Sequence, residues 1–336
     1  MPAEPAAKPP TKPSAKATAW AIFDRIVADA SPHGQHTNPW RRTDDTLVYQ
    51  PDFRVLRRLL GVPLYLDAPS TTGVPALALD VWLSYELRRA GFDPNAVWPR
   101  ATEPRIMPSA IANLLEALPI KERQLIEHRL QRSMKGVAGS SASVLGKHYM
   151  KQVDIVMSDW DTGPELLIST KRMDSSFGKN AANRVEESYG DAKNLRLRHP
   201  LAALGFVYGL RSTILTTEPD KAEWLIDLLA KLGTEDDAYH AVALIMIDYD
   251  SDGAPPAEDE VDSLENAEPD VLFDIVDVET AAVDAALAAL PDITIRHDTV
   301  PPELAPARFL ATMANRVLDT TPVTRHREAR RRRREA

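Results

Sequence analysis

The segment from Lys151 to Arg198 constrains the fold more than any other part of the chain. Two apolar runs, Val153 to Met157 and Glu165 to Lys171, have the composition of buried strands, and Gly163-Pro164 marks the turn between them. A helix is predicted next, over Asn180 to Arg198. Leu201 to Leu210 then reads as a buried strand, Lys221 to Leu232 as an amphipathic helix, and Ala241 to Ile247 as another buried strand. Strand, strand, helix, strand, helix, strand is the order of an α/β fold in which helices cover a mixed sheet.

The flanks have a different character. From Trp20 to Met134 the pattern is mainly helical. Ala76 to Ala90 has apolar residues at helical spacing, and Gly91 stops that helix at its C′ position. Ser109 to Leu118 and Lys121 to Met134 read as two further helices parted by Pro119; the second presents Lys121, Arg123, Arg129, Arg132 and Lys135. The expected organisation is a disordered Pro/Ala/Lys-rich tail over 1–18, a helical N-terminal region over 19–120 and a core over 121–249. After it come an acidic disordered loop over 250–270, a C-terminal helical region over 271–320 and a basic tail over 321–336, which holds the five consecutive arginines Arg330 to Arg334.

Composition narrows the chemistry. The chain of 336 residues has no cysteine, which excludes disulfides, cysteine nucleophiles and thiolate zinc sites and suits a reducing cytoplasm. No apolar run approaches a membrane span, and the N-terminus lacks the apolar stretch of a signal peptide, so the expectation is a cytoplasmic protein with no membrane partner. The net charge of −9 is unevenly spread. Asp248 to Glu279 holds 13 of the 49 acidic residues and no Lys or Arg, leaving 40 basic against 36 acidic residues elsewhere. Segregation of that kind is compatible with a polyanionic partner.

Several motifs fail on inspection. Gly146-Lys147 invites a phosphate-loop reading, but Ser141 stands where the first glycine belongs and His148 replaces the hydroxyl residue. Asp248, Asp250, Asp252 and Gly253 imitate a calcium loop, but Asp259 stands at the bidentate position and Pro255-Pro256 interrupt it. His33 and His36 have no evident third ligand, and the tryptophans are scattered as packing residues are.

One constellation remains. Asp154 sits in the first apolar strand. Glu165, Leu167, Ser169 and Lys171 line one side of the second, since side chains two apart share a face. Glu186 and Glu187 follow on the helix. A strand acid, a strand lysine and a helix acid supply what metal-dependent phosphodiester hydrolysis needs: oxygen ligands for a divalent cation, and an amine to orient water and stabilise developing charge.

In these residues the chain resembles the PD-(D/E)xK nuclease superfamily, and within it the type II restriction endonucleases. Asp154 matches the first acid, with Val153 in place of the usual proline. Ser169-Thr170-Lys171 matches the second acid, spacer and lysine. Serine at that position resembles the S-x-K subgroup, whose second carboxylate comes from the following helix. The resemblance covers roughly Lys121 to Tyr249. It implies a restriction-endonuclease-like mixed sheet flanked by helices, Mg2+ as cofactor, double-stranded DNA as substrate and a homodimer. The implied catalytic set is Asp154, Ser169, Lys171 and Glu186. Asp154 and Glu186 hold the metal, with Glu187 and Glu165 as alternates; Glu165 lies four residues from Ser169, about 13 Å along a strand. Arg172, Lys179, Asn180, Asn183 and Arg184 are the expected DNA-phosphate contacts, with Lys193, Arg196 and Arg198 nearby. A non-cleaving DNA-binding or scaffold protein on the same fold, and a repair or RNA-directed nuclease of the superfamily, are the alternatives.

Overall fold

The computed structural model describes residues 14–130, 142–175, 177–250 and 279–336. The elements run α1 (Ala15–Ala30), β1 (Trp40–Thr43), β2 (Thr46–Tyr49), α2 (Phe53–Tyr65), α3 (Val74–Arg89), β3 (Val97–Trp98), α4 (Ser109–Ala117) and α5 (Ile120–Leu130). Next come β4 (Ala142–Leu145), β5 (Met150–Val153), β6 (Ile155–Asp159), β7 (Gly163–Met173), α6 (Phe177–Arg196) and β8 (Ala203–Arg211). The chain continues through α7 (Ile214–Thr217), α8 (Pro219–Leu232), β9 (Ala241–Asp248), α9 (Thr280–Ala288), β10 (Thr294–Ile295), α10 (Pro306–Thr320) and α11 (Arg327–Arg334).

The molecule is mixed α/β. A six-stranded sheet, ordered β10-β9-β8-β7-β6-β3, forms its centre. β6 and β7 form an antiparallel hairpin, and β7, β8 and β9 run parallel. Parallel neighbours need crossovers, supplied by α6 and α8. Both crossovers step the same way across the sheet, and right-handed connections put both helices on one face. Alternation along β8 shows the result. Leu204, Phe206, Tyr208 and Leu210 join the core under α6 and α8, while Ala203 and Val207 join the core under α1, α3 and α10. Three layers result, with parallel strands apolar on both sides, as such burial requires.

Sequence patterning located most of this architecture. The predicted strands and helices between residues 153 and 247 are present, with ends shifted by a few residues. Gly91 has φ +95°, the left-handed C′ conformation expected of it.

Four expectations need correction. The N-terminal tail ends earlier than 18: α1 starts at Ala15, where the Ser14 hydroxyl accepts from the Ala17 N–H at 3.1 Å. Region 19–120 is not purely helical. It contains the β1–β2 hairpin, and β3 pairs with β6 in the main sheet. Asp154 is not inside a strand; it occupies the break between β5 and β6. The basic end is a docked helix rather than a loose tail. Ala329 is buried against the turn at Gly91, so close that a Cβ there would lie 2.9 Å from the Ala329 backbone. Residues 131–141, with Arg132 and Lys135, and 251–278, with nearly all of the acidic loop expected over 250–270, lie outside the described residues.

Candidate functional site

The break at Asp154 creates the site. Ile155 pairs with Ile168, so the next ladder acceptor for Thr170 would come from the chain around Asp154. The Asp154 carboxylate takes that place: Oδ2 accepts the Thr170 N–H at 2.8 Å. The aspartate thereby ends the β6–β7 ladder and stands beside Lys171, near the carboxyl end of β7. In open α/β sheets, ligand sites gather at that edge.

The same threonine holds a second acid. Asp80, in the middle of α3, accepts from Thr170 Oγ1 at 2.5 Å. Asp80 is buried, and its charge and that of Asp154 interact directly. Burial drives the Asp80 carboxyl well above its ordinary pKa and the Asp154 charge drives it further, against the Thr170 hydroxyl, Lys16 and Lys171. Asp154 is also raised, by burial first, with the Thr170 N–H, Lys171 and Lys151 opposing. Burial lowers the Lys171 amine; Asp154 and Glu187 pull it back up, while Lys151 and Arg184 push it down.

Helix α6 supplies the remaining wall. Its inward row is Phe177, Ala181, Val185, Ser188, Ala192 and Leu195. Arg184, Glu187 and Asp191 form an adjacent stripe at spacings of three and four. The Arg184 and Glu187 charges reach Lys171, and Asp191 pairs with Lys151 at 2.5 Å. Glu186 and Glu187 are both exposed, but the Glu187 charge reaches Lys171 and that of Glu186 does not figure there. Of the two helix glutamates, Glu187 is the one on the side of the site.

The other expected residues are placed as follows. Ser169 is buried and its hydroxyl meets Tyr239, whose own hydroxyl donates to the Ser188 carbonyl at 2.8 Å; the serine links β7 to α6. Glu165 lies six residues back along β7, about 20 Å from Lys171. It is buried between Thr162, at 2.7 Å, and His326, at 3.0 Å, so it is not at the site. Arg172 points to the opposite sheet face, buried against Asp174 at 2.9 Å and the Pro75 carbonyl, and offers no open phosphate contact. Arg184 donates to the Arg172 carbonyl at 3.3 Å while its charge faces Lys171. Asn183 is exposed. Lys179 and Asn180 belong to the first turn of α6, and their side chains lie outside the described set.

Asp80 is the residue that sequence reasoning missed. Its signal was present: an aspartate flanked by Leu79, Val81 and Trp82 in a helix buried nearly all round. An acid in such a setting needs a reason to be there.

The donor set suits a hard cation. Among the described residues no three acidic or imidazole groups close around one point. Asp154 and Asp80 are the two carboxylates that could share such a cation; Mg2+ keeps most of its water and takes few protein ligands. No protein-family model, curated protein or solved structure matches this chain. No helix among the described residues is long and apolar enough to cross a membrane.

Proposed function

We propose that the chain is a magnesium-dependent DNA endonuclease of restriction type, built on a restriction-endonuclease-like core. The observation that carries the reading is the triad around Thr170. Asp154 ends one strand, Lys171 stands beside it on the next, and Asp80 approaches from α3 on a hydrogen bond from the same threonine. Burial raises both carboxyls, and the Asp154 charge raises Asp80 further, despite Lys16, Lys151 and Lys171; a bound cation would relieve that cost.

Asp154 and Asp80 are the ligands proposed for Mg2+, and Glu187 takes the helix-acid role first expected of Glu186. A cation bound there supplies Lewis acidity and lowers the pKa of a coordinated water. Lys171 sits where an amine can orient the attacking water and accept its proton. Burial favours the neutral amine that such a step requires. In its charged form the same group stabilises negative charge on the phosphorus oxygens. Arg184 adds positive charge on the α6 side. Cutting both strands of a palindrome calls for a two-fold dimer, the expected working form.

The test is incubation of the purified chain with plasmid and genomic DNA of varied sequence. Discrete fragments with Mg2+, lost on chelation and lost in Asp154→Asn, are the expected result. DNA retained by the protein but never cut would favour the scaffold alternative.

A further inference from the structure

β4 and β5 form a two-stranded ribbon separate from the main sheet, with Ala142 opposite Val153, Ser143 opposite Gln152, Val144 opposite Lys151 and Leu145 opposite Met150. Its two faces differ. Ala142 and Val153 are buried, and Lys151 reaches Asp191 on α6. Ser143, Gln152, Leu145 and Met150 all point the other way and are exposed. This outer face carries no charge. It offers one cross-strand pair of hydrogen-bonding side chains and, next to it, one apolar pair. The tip adds exposed Lys147, His148 and Tyr149.

The ribbon is held rigidly for an exposed arm. Asn194 on α6 is buried and works as a surrogate strand. Its side-chain oxygen accepts from the His148 N–H at 2.8 Å, its amide donates to the Tyr149 carbonyl at 3.1 Å, and its carbonyl accepts from the Lys147 N–H at 2.9 Å. Gly146 permits the contact, since a Cβ there would fall 2.1 Å from the Asn194 amide nitrogen. β5 also leads directly into Asp154, four residues and about 13 Å beyond Met150.

We infer that the β4–β5 ribbon is the base-reading arm, entering the major groove of duplex DNA with its Ser143, Gln152, Leu145 and Met150 face. This inference rests on the DNA-cleaving reading above. The major groove is wide enough for a two-stranded ribbon. A glutamine amide pairs with the adenine edge, serine accepts either polarity, and apolar side chains meet the thymine methyl. Lys147 at the tip meets a backbone phosphate, which fixes register without reading sequence. Because the ribbon continues into Asp154, its seating in the groove sets which phosphate reaches the acids.

The test is selection from a pool of randomised duplexes, without divalent metal, followed by sequencing of the bound fraction. Wild type is expected to enrich a short motif. Gln152→Ala is expected to lose preference at one or two base pairs, by about 5- to 150-fold. Leu145→Ala with Met150→Ala is expected to relax neighbouring positions. Lys147→Ala is expected to weaken all sequences alike and to reduce the slope of log affinity against log salt by about 0.9. If these variants melt at the wild-type temperature and select the wild-type motif, while wild type cuts DNA with Mg2+, the ribbon inference falls and the nuclease reading stands. If the motif depends on the ribbon but nothing is cut, the inference stands and the nuclease reading falls. If the substitutions instead turn a dimer into a monomer in sedimentation and leave the motif unchanged, the face belongs to a second copy and the inference is overturned.

Discussion

Helix α3 buries two acids, Asp80 and Glu86, about 9 Å apart along its axis, and their surroundings differ. Glu86 is fully enclosed and fully served. Oε1 accepts from the Asp52 N–H at 2.6 Å, Oε2 from Tyr49 at 3.1 Å, and Arg89 at 2.8 Å completes a buried ion pair. Arg89 in turn bonds the Gln50 carbonyl and Thr37. Burial lifts Glu86 to about 7, and Arg89 with the Asp52 N–H pulls against that rise. Asp80 has one hydroxyl, from Thr170, and faces the Asp154 carboxylate, with Lys16 and Lys171 opposing but, among the described residues, no ion pair of the kind Arg89 gives Glu86. The first arrangement knits the β1–β2 hairpin, α2 and α3 together. The second knits nothing that an asparagine would not. An acid that another acid repels and no ion pair anchors points to a ligand, whereas one held by a direct ion pair and several hydrogen bonds points to architecture.

The largest expected effect breaks the architectural cluster. Arg89→Met removes the cation that opposes the rise of Glu86, leaving a buried carboxyl that must take up a proton or hold its charge unpaired, and should cost about 3–5 kcal/mol in urea unfolding. Adding Glu86→Leu should recover most of that loss, because a shape-matched apolar pair replaces a buried ion pair at little cost. A loss below about 1 kcal/mol for Arg89→Met would mean that the pair does not carry the hairpin.

The functional cluster should respond in the opposite way. Lys171→Met or Asp154→Asn should lower cleavage by about 10²–10³-fold, the scale of removing one preorganised electrostatic group. Neither variant should lose more than about 0.5 kcal/mol of stability, since burial already opposes both charges. A variant that unfolds instead would make its residue architectural.

Asp80→Asn sharpens the contrast, since it should stabilise the fold while impairing cleavage. The sign follows from linkage. The folded carboxyl is raised above its ordinary 3.8, so the native state holds its proton more tightly than the unfolded chain does. Its favourable contribution is complete below 3.8 and is lost as pH rises through the folded value. The variant should therefore gain about 1–3 kcal/mol over wild type at pH 8 and little at pH 4, as read from melting curves. An equal gain at both values would remove the buried charge from the account. The smallest effect separates the helix glutamates: Glu187→Gln should cost about tenfold in cleavage and Glu186→Gln almost nothing, compared in one assay at limiting Mg2+.

The sequence exposed what local pattern controls. Apolar runs, Gly163-Pro164 and Gly91 located the β6–β7 hairpin, the parallel strands and the end of α3. Asp154 and Lys171 were legible because adjacent strands must bring them close. The choice between Glu186 and Glu187 was present as helix phase: placing Ala181, Val185, Ala192 and Leu195 inward leaves Glu187 on the flanking stripe. Asp80 was hidden because its partner, Thr170, is 90 residues away. The arginine run misled for the same reason. Arg330 donates to the Leu318 and Thr321 carbonyls, and Arg332 to those of His36 and Arg89. Backbone acceptors from distant segments leave no mark in a charge pattern, so a docked helix looked like a solvated tail.

The central claim is that Asp154 and Asp80, gathered at Thr170 near the end of β7, hold a cation. Calorimetric titration of Mn2+ into metal-free protein tests it without requiring a DNA target. Wild type should show saturable binding, weakened in Asp80→Asn and absent in Asp154→Asn, with all three proteins folded. No saturable binding by wild type, or undiminished binding by Asp154→Asn, would contradict it.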